Sequence, residues 1–556
     1  MTKTRDLADL GGGFIQAGTG AVQRTVESKL QDMVSVKDFG AVGDGVADDT
    51  AAIQACFTAA ATNKKDVYFP DGTFLLNSFS SQPYDGFTHP SAVFLASNNP
   101  VSILCAKSAT IKAGPALSGA APGAVFWFRS QSGLLVADGS VTWRGGTFDL
   151  SALTQTTTGC CGIRFEQKLK EVRVDGVTFD HGVQTPSGDN PGYGGGDESI
   201  TIRESDFASV TNCSFLGAPD IGIYLSGDSN VSGGTTSDSP RYGRHAVISS
   251  CYFYRCSVGV SAKRYFKKTI ISNNIFFECG TGVLLGTTDG YTDNNGKRII
   301  VSNNYLSKIQ VDPLRLDNTE NAVVTGNEIV DYRRWVSDGT TESAVSVGNI
   351  GAGVKLSGST QCTVTGNVIG FQDWTAVSTA DKYSAGVTFR TLNGVGSSNS
   401  VVSSNVIYQC YTPFYFSNES SGNIVGDNKL QNNTISSVLG SGDNTRNIDL
   451  QVDKGTGLKY LGTRTFAATG DDLEIARFAG AVSAVNSVQI ANSITGSPVL
   501  INARGSDTFI DLQLSGKGSQ GYVRFGTHTS SIDAPISGYI TIKDASGTER
   551  KLAVIT

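Results

Sequence analysis

The segment VTNCSF (210–215) opens a series of six-residue segments that repeat along the middle of the chain. Each begins with an apolar residue, usually followed by Ser or Thr, and carries Asn or Cys at the fourth position. The other members are ISSCYF (248–253), ISNNIF (271–276), VSNNYL (301–306), VTGNEI (324–329), VTGNVI (364–369) and VSSNVI (402–407), with VDGVTF (174–179) before them and VGDNKL (425–430) after them. Because the shortest step between fourth positions is 23 residues and recurs, the simplest unit is a 23-residue repeat with insertions.

Each repeat also holds a second short segment with alternating apolar residues, often opened by Gly. These segments are GIRF (162–165), SITI (199–202), GIYL (222–225), GVSA (259–262), GVLL (282–285), PLRL (313–316), GVKL (353–356), GVTF (386–389) and PFYF (413–416). Period-2 alternation broken by Gly, Asn and Asp is typical of strands and tight corners. Strand repeats of this length predict an all-β solenoid, a parallel β-helix.

The fourth-position residues have a structural interpretation. Asn side chains at equivalent positions of successive coils can form a hydrogen-bonded ladder, and Cys is a small buried substitute there. The opening sequence MTKTRDLADLGGG lacks the apolar core of a secretory signal, which predicts folding in a reducing cytoplasm. We therefore interpret the 10 cysteines as buried thiols.

Composition excludes several classes of protein. The chain has 556 residues, with 17% charged, 66 glycines and a net charge of -6. The charged fraction lies below the roughly 25% of ordinary soluble domains, and the negative net charge argues against nucleic acid as the main partner. No run of about 18 apolar residues is present, which argues against a membrane span.

The front of the solenoid has its own pattern. In DDTAAIQACFTAAAT (48–62), Asp49 is predicted to cap a helix that presents Ile53, Cys56, Phe57 and Ala60 on one face. VYFPDGTFLL (67–76) then reads as a strand with a turn at Pro70–Gly72. A helix at this point would cover the open end of the β-helix, where strand edges are otherwise exposed.

This front pattern resembles a known family. The stretches VSVKDFGAVGDGVADDTAAIQACFTAA (34–60) and VYFPDGTF (67–74) resemble the opening of the pectate-lyase-like right-handed β-helix domain of bacteriophage tailspikes. The leader at 2–35 and the C-terminal segment 521–556 are similar to the ends of such spikes. The resemblance implies a homotrimer in the virion tail that binds and usually cleaves bacterial capsule or O-antigen polysaccharide at the cell surface.

Three regions are expected from the patterns and the resemblance. Residues 1–33 would be a leader that attaches to other virion tail proteins. Residues 34–450 would be the polysaccharide-binding and catalytic β-helix. Residues 451–556, where the repeat stops and runs such as VQIANSI (488–494) and YITIK (539–543) follow, would be a small β domain for trimerisation, carbohydrate binding or both.

Acidic residues at one corner of the β-helix are the candidate catalytic groups. Aligning Ile200 with Ile223 places Asp197 and Asp220 at the same corner of adjacent coils, about 4.8 Å apart along the axis. Glu198 lies beside the first, and Asp228 closes the loop after the second. Such a carboxylate pair suits glycoside hydrolysis, in which one group protonates the leaving oxygen and the other attacks the sugar or activates water. Ordinary corner residues bonded to their own turns are the alternative.

A polar stripe along the second strands is the candidate binding surface. Residues predicted to face outward there, or just after, can bind a sugar chain through hydrogen bonds, stacking and charge. The candidate substrate-binding residues are Arg164, Glu166, Arg203, Tyr224, His245, Lys263, Arg264 and Arg315. A plain solvated surface is the alternative interpretation.

A second mechanism uses some of the same residues. The resemblance extends to polysaccharide lyases. These enzymes neutralise a uronate carboxylate and remove the C5 proton with basic residues or Tyr. Tyr224, His245, Lys263 and Arg264 would act in that case, and a basic surface patch is the alternative for KRYFKK (263–268). No contiguous calcium-loop motif is present, so no metal or cofactor is predicted.

The sequence therefore predicts a tailspike depolymerase that hydrolyses a surface polysaccharide. A lyase is the second hypothesis, and a non-catalytic adhesin is the third.

Overall fold

The computed structural model describes residues 13–84, 87–119, 123–131, 139–153, 159–166, 169–182, 198–227, 245–263, 268–286, 296–332, 334–336, 342–344, 351–371, 384–417, 419–431, 433, 448–450, 464–467, 474–478, 486–491, 500–505, 536–543 and 548–555. The compact units of the chain are Met1–Leu461 and Gly462–Thr556.

The first unit is a right-handed parallel β-helix, as the repeat and the resemblance predicted. Three long sheets form its walls, and successive coils add one strand to each. Sheet 1 contains Met33–Ser35, Asp66–Phe69, Val101–Cys105, Ser140–Arg144, Glu171–Asp175, Phe207–Thr211, His245–Ser249, Thr269–Ser272, Ile300–Ser302, Val323–Thr325, Thr363–Thr365, Val401–Ser403, Ile424–Gly426 and Ile448–Leu450. Sheet 2 contains Asp44–Asp48, Gly72–Leu76, Ala109–Ala113, Thr147–Asp149, Thr178–Asp180, Ser214–Leu216, Tyr252–Tyr254, Ile275–Phe277, Tyr305–Ser307, Glu328–Val330, Val368–Gly370, Val406–Tyr408 and Lys429–Gln431.

Sheet 3 is built from the second segments of the repeats. It contains Ser80–Tyr84, Phe87–Ala96, Gly123–Arg129, Cys160–Glu166, Ile200–Arg203, Ile221–Ser226, Val258–Lys263, Thr281–Leu285, Leu314–Asp317, Gly351–Ser357, Ser384–Arg390 and Thr412–Phe416. Its strands pair in parallel, apart from the antiparallel pair at the front formed by Ser80–Tyr84 and Phe87–Ala96. Short pairs outside the three sheets are Gly13–Phe14 with Arg24–Thr25, Gly296–Lys297 with Thr319–Glu320, and Arg334–Val336 with Glu342–Ala344.

Inward side chains stack from coil to coil along the axis. Rings of Phe148, Phe179, Phe215, Phe253 and Phe276 are successive neighbours, with centroids 4.9, 5.3, 4.8 and 4.6 Å apart. All five are completely buried. Because equivalent residues occupy one site on each coil, a single aromatic position fills the same part of the core five times.

The Asn ladder predicted from the repeat is present. Asn274, Asn304, Asn327, Asn367 and Asn405 each donate an Nδ2 hydrogen bond to the Oδ1 of the next Asn, ending at Asn428, at 2.9 to 3.0 Å. At the front of the ladder Cys251 takes the Asn position, and its backbone N–H donates to Asn274 Oδ1 at 2.9 Å. The ladder satisfies backbone groups at a buried corner, where unpaired groups would be costly.

All ten cysteines are reduced and buried, as predicted. Burial raises the pKa of the Cys105 and Cys410 thiols to about 12. These thiols are therefore protonated and unreactive at neutral pH, and they act as small apolar side chains.

The chain contains two α-helices in its described residues, α1 (Val26–Leu30) and α2 (Thr50–Asn63), and two 3₁₀ turns, Val36–Phe39 and Pro115–Gly119. Helix α2 covers the front of the core, as predicted. Its Phe57 ring packs 5.5 Å from Phe126 and 5.9 Å from Phe128. The predicted side-chain cap is wrong, because the Asp49 carboxylate instead accepts the backbone N–H groups of Val42 and Gly43 at 2.6 and 3.1 Å.

The second unit contains antiparallel hairpins in its described residues. The paired strands are Arg464–Ala467 with Glu474–Phe478, Asn486–Ala491 with Leu500–Gly505, and Ile536–Lys543 with Glu549–Ile555. The alternating runs at 488–494 and 539–543 lie largely in these strands. The three predicted regions, 1–33, 34–450 and 451–556, and their roles stay predictions.

Candidate functional site

The outward residues of sheet 3 form a continuous strip, which we call the sheet-3 strip. Strand register places its side chains in one file, coil by coil: Phe94, Trp127, Arg164, Thr201, Tyr224, Ser261, Leu284, Arg315, Lys355, Thr388 and Tyr415. A second file two residues later includes Arg129, Glu166, Arg203, Ser226, Lys263, Asp317, Ser357 and Arg390. This register brings charged side chains from distant parts of the sequence onto one face.

A plain solvated surface, the alternative interpretation of the stripe, does not describe the middle of this strip. Arg164, Glu166 and Tyr224 are only 4%, 1% and 8% exposed, and Thr201 and Ser261 are fully buried. Their polar groups are therefore largely removed from water, and the hydroxyl oxygens of Thr201 and Ser261 have no hydrogen-bond partner among the described residues.

Four charged residues form what we call the glutamate–arginine cluster: the buried Arg164, Glu166 and Glu198, and Arg203, whose side chain is 27% exposed. Glu166 Oε1 lies 3.3 Å from Arg203 Nη1 on the next coil and 3.9 Å from Arg164 Nε on its own strand. Glu198, 5% exposed, lies two residues before the strand Ile200–Arg203. Two guanidinium groups thus lie beside a buried carboxylate.

The carboxylates of the cluster act on the pKa of both arginines. Burial acts to lower the pKa of the Arg164 guanidinium, but Cys161, Glu166 and Glu198 outweigh it and the pKa is raised. For Arg203, burial is likewise outweighed, chiefly by Glu166, and its pKa is raised. Both arginines are therefore permanent cations in this site.

Several acceptor atoms in the cluster lack hydrogen-bond partners among the described residues. They are both carboxylate oxygens of Glu166 and Oε2 of Glu198. A buried polar atom without a partner is unusual in a native protein and calls for an explanation, of which a catalytic role is one. The hydroxyl groups of a sugar could donate to all three oxygens.

Tyr224 lies between two cations at the edge of the cluster. The Arg203 guanidinium carbon lies 5.8 Å from the centre of its ring, and Lys263 Nζ lies 5.9 Å from it. Tyr224, Arg203 and Lys263 come from three successive coils. They extend the charged surface from the glutamate–arginine cluster towards later coils.

The remaining candidates fall in different places. Asp220 is half-buried at the corner before its strand, and its backbone carbonyl accepts from Val258 N at 2.8 Å. His245 is exposed and begins a strand of sheet 1, so it does not belong to the sheet-3 strip. Asp197, Asp228 and Arg264 lie outside the described residues. The catalytic and binding roles of all these residues stay predictions.

The sequence reasoning missed Asp312. Its Oδ2 accepts from Lys355 Nζ at 2.9 Å on the next coil, beside the ion pair between Arg315 Nε and Asp317 Oδ2 at 2.7 Å. Asp312 precedes Pro313 at the corner before its strand, the same kind of position as Asp220. The sequence pattern that would have indicated Asp312 is an Asp at the corner before a sheet-3 strand, which recurs at Asp220 and Asp312.

His181 is a buried histidine below the strip. It is 4% exposed, and its Nε2 lies 3.0 Å from Ser199 Oγ. Burial lowers its pKa from 6.5 to about 3. His181 is therefore neutral in the folded protein over the physiological range.

This buried histidine predicts a loss of stability in acid. Because the unfolded chain binds a proton at His181 near pH 6.5 and the folded chain only near 3, lowering the pH between these values favours unfolding. At pH 5 the loss is about 2 kcal/mol relative to neutral pH. His181→Leu, which copies Leu150 of the preceding coil, should reduce the difference in unfolding free energy between pH 7 and 5 by that amount.

Denaturant titrations at both pH values would measure this difference. The exposed His245→Gln variant is the control, and its pH dependence should match that of the wild type. An unchanged pH dependence in His181→Leu would show that His181 is not a source of the acid sensitivity.

Two absences apply to the described residues alone. They contain no group of three or more His, Cys, Asp or Glu side chains arranged to hold a metal ion. None of the helices among them has the length and apolar character that a membrane crossing requires.

The chain is similar to one family model and to several known proteins. Residues 33–284 match the family model described as rhamnogalacturonase A/epimerase, pectate lyase-like. Plasmin and fibronectin-binding protein A of Streptococcus pneumoniae is 33% identical over 140 residues, which are 23% of this chain and 17% of that protein. Mannuronan C5-epimerase AlgE5 of Azotobacter vinelandii is 53% identical over 53 residues, 9% of this chain and 5% of the epimerase. The chain therefore spans less than a fifth of either curated relative.

Among solved structures, a tailspike protein of E. coli bacteriophage HK620 in complex with pentasaccharide aligns with a TM-score of 0.49 and 16% identity, over 75% of this chain and 69% of that chain. The architecture itself stands on the three parallel sheets described above. Residues 33–284, which match this family model, lie within the part of the chain that folds as a parallel β-helix.

Proposed function

We propose that this chain is a bacteriophage tailspike that binds and hydrolyses a bacterial surface polysaccharide, with the glutamate–arginine cluster as its reaction centre. The observation that carries the proposal is a set of buried carboxylate oxygens without hydrogen-bond partners beside two guanidinium groups. The family description and the epimerase relative support an activity on polysaccharides.

The proposal gives the two glutamates different tasks. Glu166, between two guanidinium groups, acts as the carboxylate that attacks the anomeric carbon or activates water. Glu198 protonates the glycosidic oxygen, because its buried Oε2 has no described donor and can carry the proton. The C–O bond then breaks, the leaving sugar keeps that proton, and water supplies the hydroxyl of the new reducing end. Asp220 is the further candidate at the same corner.

The setting of this activity belongs to the same proposal. The protein would be a homotrimer in the virion tail, attached through residues 1–33 to other tail proteins. It would fold in the cytoplasm of the infected cell and act on capsule or O-antigen at the bacterial surface.

Variants at Glu198 and Lys263 separate hydrolysis from β-elimination. We expect Glu198→Gln to lose about 10²-fold or more in turnover, since general acid catalysis contributes that much. Lys263→Gln should retain turnover within a few-fold, because in a hydrolase Lys263 only lines the surface beside Tyr224. Release of soluble fragments from capsule and O-antigen would be followed.

The opposite pattern would contradict hydrolysis. Loss in Lys263→Gln with full turnover in Glu198→Gln would favour the lyase, in which Lys263 and Tyr224 would act on a uronate. Polysaccharide binding by the wild type without release of fragments would favour the non-catalytic adhesin.

A further inference from the structure

A second charged group lies further along the sheet-3 strip. We call it the aspartate–lysine cluster, formed by Asp312, Arg315, Asp317 and Lys355. Arg315 and Lys355 are register partners on adjacent coils and project from the same file. Arg315 Nε donates to Asp317 Oδ2 at 2.7 Å, and Lys355 Nζ donates to Asp312 Oδ2 at 2.9 Å. Each cation is thus fixed by its own carboxylate.

Exposure differs sharply between the acids and the bases of this cluster. The side chains of Asp317 and Asp312 are 1% and 2% exposed, whereas those of Arg315 and Lys355 are 22% and 20% exposed. Asp312 Oδ1 also accepts from Ala352 N at 3.1 Å. The buried carboxylates therefore orient the cations, and an approaching molecule meets the positive heads first.

Asp317 differs from Asp312 in one respect. Its Oδ1 is buried and has no hydrogen-bond partner among the described residues. Burial raises the pKa of Asp317 despite the nearby Arg315, whereas for Asp312 Lys355, Arg315 and the Ala352 N–H together outweigh burial and lower the pKa. Asp317 Oδ1 is consequently an unmet acceptor, and a ligand hydroxyl group would satisfy it.

The cluster lies in line with the proposed reaction centre. Arg203 lies on the same coil as Thr201, and that coil is four steps along the axis from the coil of Arg315. At about 4.8 Å per step, the two clusters are about 19 Å apart along the axis. A polysaccharide chain lying along the strip would reach both.

We propose that the aspartate–lysine cluster is a subsite for a sugar unit that carries a carboxylate. Arg315 and Lys355 bind the carboxylate, and Asp317 Oδ1 accepts a hydroxyl group of the same unit. The inference rests on the proposed function, since it names the class of polysaccharide that the strip takes, and it adds no chemical step.

The test pairs a change in the protein with a change in the ligand. Purified acidic and neutral capsular polysaccharides are immobilised, and binding of the full chain is measured at several salt concentrations. Acidic polysaccharides are also tested after chemical reduction of their uronate carboxylates to alcohols. The variants are R315Q/D317N and K355Q/D312N, which remove each cation together with its carboxylate and so leave no buried lone charge.

We expect the wild type to bind an acidic polysaccharide and to lose roughly tenfold or more on carboxyl reduction. Each double variant should bind the native polysaccharide more weakly than the wild type, and carboxyl reduction should cause a smaller loss in the variant than in the wild type, because one of the two cations is gone. Lys429→Gln, an exposed cation on sheet 2, should behave as the wild type. Thermal melting of every variant checks that the fold is retained.

Three results would overturn the subsite. In the first, the double variants bind the acidic polysaccharide as tightly as the wild type does. In the second, carboxyl reduction weakens binding equally in the wild type and in the variants. In the third, the wild type binds neutral polysaccharides but no acidic ones. The last would leave the proposed function intact. Failure to bind any polysaccharide would overturn the proposed function as well.

Discussion

Glu166→Gln is expected to lower polysaccharide turnover by about 10²- to 10⁴-fold, the range that a positioned acid or base supplies. The carboxylate is 1% exposed, and its Oε1 lies 3.3 Å from Arg203 and 3.9 Å from Arg164. Glutamine keeps the shape of the side chain but neither attacks a sugar nor removes a proton from water. Initial rates of reducing-end release would measure the loss.

A matched surface variant separates chemistry from general electrostatics. Glu171→Gln also removes a glutamate from an arginine pair, because Arg173 Nη2 lies 2.5 Å from Glu171 Oε1, but this pair is exposed on sheet 1. It should keep full turnover. If Glu166→Gln folds, binds the polysaccharide and retains more than about a tenth of the rate, Glu166 is not the reacting carboxylate.

Asn327→Ala is expected to cost about 3 kcal/mol of unfolding free energy, since it leaves several buried groups without partners. Asn327 is 1% exposed, and its Oδ1 accepts from both the backbone N–H and the Nδ2 of Asn304. Its own Nδ2 donates to Val301 O and Asn367 Oδ1, each at 2.9 Å. The ladder is thus broken in both directions.

Asn327→Cys is the informative companion, because the chain already uses Cys at the equivalent positions 213 and 251. There the thiols lie 3.8 and 3.6 Å from the backbone oxygens of Val174 and Val210. The cysteine variant should lose less stability than the alanine variant, and the exposed Glu328→Gln should lose none. Midpoints of guanidinium unfolding would give this order. An alanine variant as stable as the wild type would show that the ladder does not stabilise the fold.

The architecture could be predicted from sequence because every coil repeats the same physical requirements. An apolar pair flanking Asn or Cys recurs where two sheets meet, so the ladder through Asn274 and Asn428 follows from spacing alone. Aligning Ile200 with Ile223 gave the register of sheet 3, which the strand pairing reproduces. The predicted side-chain cap at Asp49 is wrong for a local reason. A carboxylate beside the start of a helix can accept hydrogen bonds from a preceding loop, here Val42 and Gly43, instead of from the helix.

The site could be predicted only in outline. Period-2 alternation places Arg164 and Arg315 on the outer face but cannot say how far each is removed from water. Choice of partner also depends on side-chain conformation. Lys355 pairs with Asp312, which is 43 residues away, whereas Arg315 pairs with Asp317 of its own strand. Distances of this kind depend on packing in three dimensions, which spacing along the chain does not encode.

The most direct test of the account is the chemistry of the products that the wild-type protein releases. Capsule and O-antigen from a panel of bacterial strains would be digested, and reducing ends and the ultraviolet absorbance of unsaturated uronates would be followed together. The account predicts new reducing ends from at least one polysaccharide without that absorbance. Reducing ends that appear together with the absorbance would contradict it and establish a lyase.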